Sequence, residues 1–236
     1  MDRFRFKSFE VEHHRSTMKV GTDAVLLSAW TQVAGATKVL DIGTGCGIIS
    51  LILASRSPDL DVTAIDIDSQ SIEEAQLNFA ASRWSSRLMA LNQSLQSFVA
   101  STPDRFDLIV SNPPWFINCL RVPGNSRRNN ARHHDALNFP DLIDGTTRLL
   151  SDNGRATFIL PATEGTLFVE MALRKGLNLS HKCVVRSNPK KAPYRWLLEF
   201  SAQRDSSIIT ELSIHSPNGS FSEAYKALTG DFYLNF

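Results

Sequence analysis

The stretch KVLDIGTGCG, residues 38–47, decides the fold of this chain. Its first half, Lys38 to Ile42, is typical of a buried strand, and an apolar helical stretch, Ile48 to Ala54, follows the glycines at once. A strand, a glycine-rich turn and a helix open the nucleotide-binding α/β folds, where backbone N–H groups and the helix dipole approach a ligand closely. We therefore expect an α/β fold with a doubly wound, mostly parallel Rossmann-like sheet and helices on both faces.

The segments around this stretch continue the alternation of strands and helices. Residues 62–65 predict a strand that ends in Asp66, nineteen residues past Gly47, about where an acid reaches ribose hydroxyls. Further strands are expected at 87–91, 106–110, 155–160, 183–186, 195–200 and 211–215, and further helices at 24–30, 95–100, 140–150, 163–175 and 224–228. We expect one domain over residues 1–236, with an N-terminal arm and helix in 1–35 and a substrate loop over 118–138.

Several local signals predict where elements begin and end. Thr22 or Asp23 is a candidate cap for the first helix. Ser71 with Glu74, and Ser220 with Glu223, have the spacing of capping boxes. Residues 152–154, Asp-Asn-Gly, predict a turn, and Gly176 stands where a helix C-cap glycine belongs.

Composition excludes several classes of protein. The hydrophobic share of 42% and the charged share of 21% are ordinary for a soluble globular protein. The longest apolar run, Ile48 to Ala54, is too short for a membrane span, and the first residues have no apolar core of signal-peptide length. The three cysteines, Cys46, Cys119 and Cys183, are widely spaced and lack a metal-ligand pattern. We expect a reduced, cytoplasmic protein with no metal, no membrane contact and no evident obligate protein partner.

The charge is unevenly distributed although the net charge is only +1. Residues 119–134 contain four arginines and no acid, and residues 171–198 contain seven basic residues, from Arg174 through Arg195, and again no acid. Either segment can be a solvated surface or a surface that contacts phosphates. The four arginines of the first segment are Arg121, Arg127, Arg128 and Arg132.

The stretch VSNPPW, residues 110–115, is the second feature with chemical meaning. Two consecutive prolines cannot donate to a β-ladder, so the preceding strand ends here, and each proline pushes the residue before it towards extended geometry. The result is a stiff loop that presents the Asn112 amide, a proline carbonyl and the Trp115 indole in fixed relation. In an open α/β sheet this strand end is where ligands bind, although a rigid turn alone would need no ligand.

The glycine pattern differs from a dinucleotide fingerprint. Ile48 stands where that fingerprint has a small residue, and Asp41 precedes the first glycine by two positions. A carboxylate there would repel a pyrophosphate but could hold an ammonium group. This favours a cationic, phosphate-free nucleoside over NAD and argues against a nucleotide-cofactor oxidoreductase.

Residues 40–47 resemble the first motif of the class I S-adenosylmethionine-dependent methyltransferases. The resemblance implies S-adenosylmethionine as the cofactor, with Asp66 on both ribose hydroxyls. It places around the methionine end Asp41, Gly43, Gly45 and Gly47. Thr22, Ile67 and Ser94 complete the expected cofactor site. Ser94 lies where an aspartate often contacts the cofactor adenine, so Gln93 or a backbone amide would substitute for that contact.

Residues 112–115 resemble the Asn-Pro-Pro-aromatic motif of methyltransferases that act on planar exocyclic or amide nitrogens. An adenine amine is conjugated with its ring and is a poor nucleophile. The Asn112 side chain and the Pro113 carbonyl could accept both N–H bonds and leave the nitrogen lone pair aimed at the methyl group. Trp115 would stack on a base that has left its own stack, and Pro114 completes the expected catalytic set. Positioning and charge complementarity would then drive an in-line transfer without a covalent intermediate.

Segments near both ends of the chain narrow the resemblance. Phe9 and residues 18–23, 131–132, 225–229 and 232–234 are similar to the bacterial tRNA(1)Val adenine-N6 methyltransferase family. This resemblance implies a tRNA partner and methylation of the adenine 3′ of the anticodon in one valine tRNA. The four arginines between 121 and 132 would then grip phosphates of the anticodon stem-loop, and the second basic segment would extend that surface. Trp115 stands where tyrosine is commoner, which keeps stacking but removes a hydroxyl.

Three other functions stay open. A ribosomal RNA guanine-N2 methyltransferase shares the Asn-Pro-Pro-aromatic motif. So does a protein-glutamine methyltransferase, but that family usually carries a helical N-terminal domain, and only about forty residues precede Asp41. A non-catalytic methyltransferase fold that binds RNA is the third, and the intact Asn112 and Asp66 argue against it.

Overall fold

The computed structural model describes residues 3–16, 19–114, 137–203 and 206–235. Its strands are β1 Arg3–Arg5, β2 Glu10–Glu12, β3 Lys38–Ile42, β4 Asp61–Asp66, β5 Leu88–Asn92, β6 Phe106–Ser111, β7 Leu150–Pro161, β8 Asn178–Arg186, β9 Pro193–Ser201 and β10 Ile208–Ser213. Its helices are α1 Thr22–Trp30, α2 Ile48–Arg56, α3 Ser69–Ala81, α4 Leu95–Ser101, α5 Phe139–Leu149, α6 Ala162–Arg174 and α7 Glu223–Thr229, with a 3-10 helix at Ser85–Arg87.

Strands β3 to β10 form one eight-stranded sheet in the order β10-β8-β9-β7-β6-β3-β4-β5. Strand β9 is antiparallel to both of its neighbours, and the other pairings in this sheet are parallel. The strand order reverses at β3, because β4 and β5 lie on one side of it and β6 and β7 on the other. The expected doubly wound, mostly parallel sheet is confirmed, and ligands bind such sheets outside the carboxyl ends of the strands at the reversal.

Strand β3 shows why the sheet is buried on both faces. Val39 packs in an apolar cluster with α1, α2 and α3, whereas Leu40 and Ile42 pack in a second cluster with α4, α5 and α6. Successive side chains of a strand point to opposite faces, so a strand covered on both sides is apolar at consecutive positions. This is the physical origin of the apolar run before the glycines.

The N-terminal arm is a two-stranded hairpin, with Phe4 of β1 opposite Val11 of β2. Phe6 stacks on Phe9 at a ring-centroid distance of 4.8 Å and on Tyr233 at 6.1 Å. The two ends of the described chain therefore lie together.

Two expected helix caps are wrong. The N-cap of helix α1 is Gly21, and no side chain forms a capping hydrogen bond there. Neither Thr22 nor Asp23 is therefore the cap. Helix α3 is capped by Asp68, whose carboxylate accepts from the Ser71 N–H at 2.9 Å. Glu74, the expected partner of Ser71 in a capping box, instead accepts a hydrogen bond from the His14 N–H of the N-terminal arm.

Two more local predictions are wrong, and one is confirmed. Ser222, not Ser220, caps α7 by accepting from the Tyr225 N–H at 3.1 Å. Residues 152–154 lie inside β7 as an irregularity, because Phe106 pairs with Leu150 while Leu108 pairs with Arg155. Gly176 does follow α6 with φ +86°, as expected of a C-cap glycine.

Candidate active site

A cavity of about 390 Å³ lies at the carboxyl ends of β3 and β6, where the strand order reverses. That volume falls within the roughly 300–1,000 Å³ of small-molecule sites. The cavity is lined by Lys19, Gly21, Thr22, Asp23, Ala24, Gly43, Thr44, Gly45, Cys46, Ile48, Ile49, Asn112 and Tyr194. The glycine turn and the residue that begins the double-proline corner therefore open into the same space.

The three glycines of the turn have different roles. All have positive φ, +73° at Gly43, +54° at Gly45 and +83° at Gly47, which side chains other than glycine rarely adopt. A Cβ added at Gly43 or Gly45 would meet nothing within 4 Å, so these two leave open space beside the cavity. A Cβ at Gly47 would lie 2.4 Å from Cε1 of Phe79. Gly47 therefore permits α2 to pack against α3 and is not part of the cavity wall.

Asp41 supports the turn from inside the protein. It is fully buried, and its Oδ2 accepts from the Thr44 and Ser50 hydroxyls, each at 2.7 Å. Burial raises the pKa of the Asp41 carboxyl to about 6, against the opposing effect of these bonds. Its Oδ1 has no hydrogen-bond partner among the residues that the structure describes. Asp41 is outside the cavity lining, so its direct effect is to hold the shape of the turn.

Asp66 fixes the same turn from the end of β4. Its Oδ2 accepts from the Gly45 N–H and its Oδ1 from the Asp68 N–H, both at 2.9 Å. Burial raises the pKa of this carboxyl above its ordinary value. The next residue, Ile67, is 51% exposed and offers an apolar surface beside the carboxylate. Asn92 donates to the carbonyls of both residues at 3.0 Å and so holds this corner in place.

Asn112 lines the cavity and carries an unused acceptor. It follows β6 directly, and Ser111 ties that strand end to β3 by donating its hydroxyl to the Ile42 carbonyl at 2.7 Å. The buried Asn112 Oδ1 has no hydrogen-bond partner within the described residues. A buried acceptor left unpaired costs about 1–3 kcal/mol, so this oxygen is suited to a donor on a ligand. Pro113 is buried and Pro114 is exposed.

The remaining expected site residues divide between three places. Thr22 is exposed and lines the cavity. Ser94 caps α4, where its hydroxyl accepts from the Ser97 N–H at 3.2 Å, and it does not line the cavity. Outside the described residues lie Trp115, Arg121, Arg127, Arg128 and Arg132, together with most of the expected loop over 118–138.

Sequence reasoning missed Lys19 and Tyr194, which also line the cavity. Tyr194 comes from β9, and burial raises the pKa of its hydroxyl to about 12. The next residue, Arg195, donates to Asp23 at 2.9 Å, and both side chains are little exposed, at 17% and 15%. Nothing in the sequence joins Tyr194 to the glycine turn, because β9 reaches the cavity only through its antiparallel place beside β7.

Two absences apply to the described part of the chain. None of its helices combines the length and the apolar character that crossing a membrane requires. Within the same ranges no three His, Cys, Asp or Glu side chains come close enough together to hold a metal ion.

Comparisons with known proteins agree with this geometry. A family model described as the methyltransferase small domain matches residues 15–121. A tRNA1(Val) (adenine(37)-N6)-methyltransferase of Phocaeicola vulgatus is 44% identical over 98% of this chain and 97% of its own length. One of Pseudoalteromonas translucida is 40% identical over 99% of each chain. Among solved structures, a predicted O-methyltransferase from Agrobacterium tumefaciens is similar with a TM-score of 0.70, covering 89% of this chain and 96% of that chain. At 16% identity this last likeness shows the fold alone.

Proposed function

The chain belongs to the tRNA1(Val) (adenine(37)-N6)-methyltransferase family, and from that premise we propose that it methylates the N6 amine of an adenine in tRNA. The methyl donor is S-adenosylmethionine, and the proposed target is adenine 37 of valine tRNA, as the names of the relatives state for them. One observation carries the proposal: Asn112, whose buried Oδ1 is unpaired among the described residues, lines the cavity that the glycine turn also lines.

The residues of the site fit the cofactor. The open space at Gly43 and Gly45 leaves room for a ligand against the backbone. Lys19 and the first residues of α1 line the cavity, so an ammonium group and unpaired backbone N–H groups can receive the methionine carboxylate. Asp66 uses one acceptor position on each oxygen and keeps capacity for ribose hydroxyls. When bound, S-adenosylmethionine supplies an electrophilic methyl group on a sulfonium.

The chain's own residues orient the nucleophile. Asn112 Oδ1 accepts a hydrogen bond from one N–H of the adenine amine, and the Pro113 carbonyl accepts one from the other. The nitrogen lone pair is then free to attack the methyl group. The Tyr194 ring, in the wall of the same cavity, provides an aromatic surface for a base that has left its stack. Trp115 is the proposed stacking partner that follows the prolines. No residue is needed as a covalent carrier, because positioning accounts for the step.

The second basic segment divides between the two edges of the sheet. Lys190 and Lys191 are exposed in the turn between β8 and β9, and Lys191 lies three residues from Tyr194, at most about 10 Å along the chain. Helix α6 instead runs back from the carboxyl end of β7 over about 20 Å, so Arg174 and Lys175 lie at the opposite edge. Lys175 pairs there with Asp144 at 2.7 Å.

The proposed RNA surface therefore includes Lys190 and Lys191 but excludes the start of that segment. With them we place the four arginines Arg121, Arg127, Arg128 and Arg132, which follow the double-proline corner in the sequence. Backbone phosphates are their proposed contacts. The proposal treats residues 1–236 as one domain that acts in the cytoplasm on tRNA without an obligate protein partner.

The test is methyl transfer to bulk tRNA that lacks the modification. The chain is incubated with isotopically labelled S-adenosylmethionine and this tRNA, and the digested nucleosides are identified by mass spectrometry. The proposal predicts labelled N6-methyladenosine from bulk tRNA, and the same product when purified valine tRNA is the substrate. In parallel reactions the tRNA is replaced by unmodified ribosomal RNA or by a glutamine-containing protein substrate. Labelled N2-methylguanosine in ribosomal RNA, labelled glutamine in the protein, or no transfer with a bound cofactor would each overturn the proposal.

A further inference from the structure

The Glu74 carboxylate of α3 binds three consecutive backbone N–H groups of the N-terminal arm. Its Oε1 accepts from the N–H groups of His14 and Arg15 at 2.8 and 2.9 Å, and its Oε2 accepts from the Ser16 N–H at 2.9 Å. The Ser16 hydroxyl donates to the same Oε2. The Glu74 side chain is fully buried. Burial alone would raise its pKa, but the four hydrogen bonds outweigh burial and hold the pKa below its usual range.

Asn78 lies one turn further along the same face of α3 and joins the arm to the glycine turn. Its Nδ2 donates to the carbonyl of Glu12 and to that of Cys46, both at 2.8 Å. Its Oδ1 accepts from the Glu12 N–H at 2.9 Å. One buried amide therefore ties residue 12 of the arm to residue 46 of the turn that lines the cavity.

The anchored segment, residues 12–16, continues directly into the cavity wall. Lys19 follows Ser16 by three residues, so the two are at most about 10 Å apart. Lys19, Gly21, Thr22 and Asp23 line the same cavity as the glycine turn. Only two residues of sequence therefore separate the anchored segment from this wall.

A carboxylate is a costly way to attach an arm. A buried charge costs several kcal/mol to desolvate, and apolar contacts would attach a segment as well. Hydrogen bonds to three successive amides are directional, so they form in only one backbone conformation and one register. Apolar contacts do not impose this restriction. The arrangement is therefore suited to placing the wall accurately.

We propose that Glu74 and Asn78 are positioning residues that lock residues 12–16 to the glycine turn and thereby set the cofactor-facing wall at residues 19–23. The inference rests on the proposed function in one respect: the ligand of the cavity is S-adenosylmethionine. Neither residue touches the reacting atoms.

The test compares Glu74→Ala with Glu73→Ala. Glu73 is the neighbouring glutamate on α3, with a 62% exposed side chain and a surface ion pair to Arg15 at 3.5 Å. Calorimetry measures the affinity of each folded variant for S-adenosylhomocysteine, and hydrogen exchange measures protection of the peptide over residues 12–24. Glu74→Ala should weaken binding by about tenfold or more, the scale of one lost charged hydrogen bond, and should speed exchange through residue 23. Glu73→Ala should match wild type in both.

A purely structural role predicts a different pattern. Glu74→Ala would then lower the resistance to denaturant while the affinity of the folded protein stayed within about twofold of wild type, and that result overturns the inference. If Glu74→Ala does not fold, Glu74→Gln and Asn78→Ala replace it. Glu74→Gln keeps the shape and one acceptor oxygen, so its binding should be intermediate. Failure of wild type to bind the ligand would count against the proposed function instead, which separates the two hypotheses.

Discussion

The carboxylate of Asp66 accepts a 2.9 Å hydrogen bond from the backbone N–H of Gly45. The end of β4 is thereby joined to the turn after β3. Asp66 is not itself among the residues that line the cavity, but it shapes the turn that does. A carboxylate has about four acceptor positions, and the structure uses one on each oxygen of Asp66. The residue can therefore hold the turn and a sugar at once.

Asp66→Ala should weaken S-adenosylhomocysteine binding by about tenfold to a hundredfold, the scale of one or two charged hydrogen bonds. Calorimetry on the folded protein measures the change. Asp61→Ala is the matched control, because Asp61 is an exposed aspartate at the other end of the same strand. Equal affinities in the two variants would contradict the role of Asp66.

Gly47→Ala should be more destabilising than Gly45→Ala. Both substitutions force a side chain into positive φ, which costs about 1–2 kcal/mol. Only the Cβ at 47 also collides with Phe79, which adds about 1–3 kcal/mol of overpacking. Denaturant unfolding measures both variants. Gly45→Ala should instead lose cofactor affinity, and equal losses of stability would show that the packing against Phe79 is not limiting.

Asp41→Asn should change how stability depends on pH. Burial raises the pKa of Asp41 to about 6, so the folded chain binds this proton more tightly than the unfolded chain does. Wild-type stability therefore falls as pH rises from about 4 to about 6, by about 3 kcal/mol from this group. The variant lacks that dependence, so its stability relative to wild type should increase over the same window. Denaturant unfolding at a series of pH values measures the stability of both proteins. A difference in stability that stays constant with pH would contradict the assignment.

Replacing Lys190 and Lys191 together by alanine should weaken tRNA binding. If each contacts one phosphate, the slope of log affinity against log salt should shrink by about 1.5. The control is the double change Arg174→Ala with Lys175→Ala, which removes the same charge at the opposite edge of the sheet. Binding curves over a series of salt concentrations compare the two double variants. Equal effects would mean that the turn between β8 and β9 does not face the RNA.

The parts of this protein that follow from sequence are those in which local chemistry and burial agree. The apolar residues Val39, Leu40 and Ile42 reflect a strand covered on both faces, and the glycines after it reflect positive φ at three alternate positions. The sequence predicts Asp66 correctly at the end of its strand, because β3, α2 and β4 follow one another directly along the chain.

The parts that sequence reasoning missed depend on distant contacts. Spacing alone suggested that Glu74 caps its own helix, whereas it binds amides about sixty residues earlier in the chain. The Asp-Asn-Gly signal at 152–154 gives an irregularity inside β7 instead of a turn between elements, because Leu150 and Arg155 on either side of it both pair with β6. Tyr194 reaches the cavity only because of where β9 inserts in the sheet, and no local pattern carries that information.

Asn112→Ala tests the central claim, that the glycine turn and the double-proline corner form one methyl-transfer site. Single-turnover transfer to unmodified valine tRNA and calorimetry with S-adenosylhomocysteine are measured on the same preparation, with exposed Asn153→Ala as the control. Losing an acceptor that orients the amine should slow transfer by about a hundredfold or more, while cofactor affinity stays close to that of wild type. Transfer at the wild-type rate, with the cofactor bound, would contradict the account.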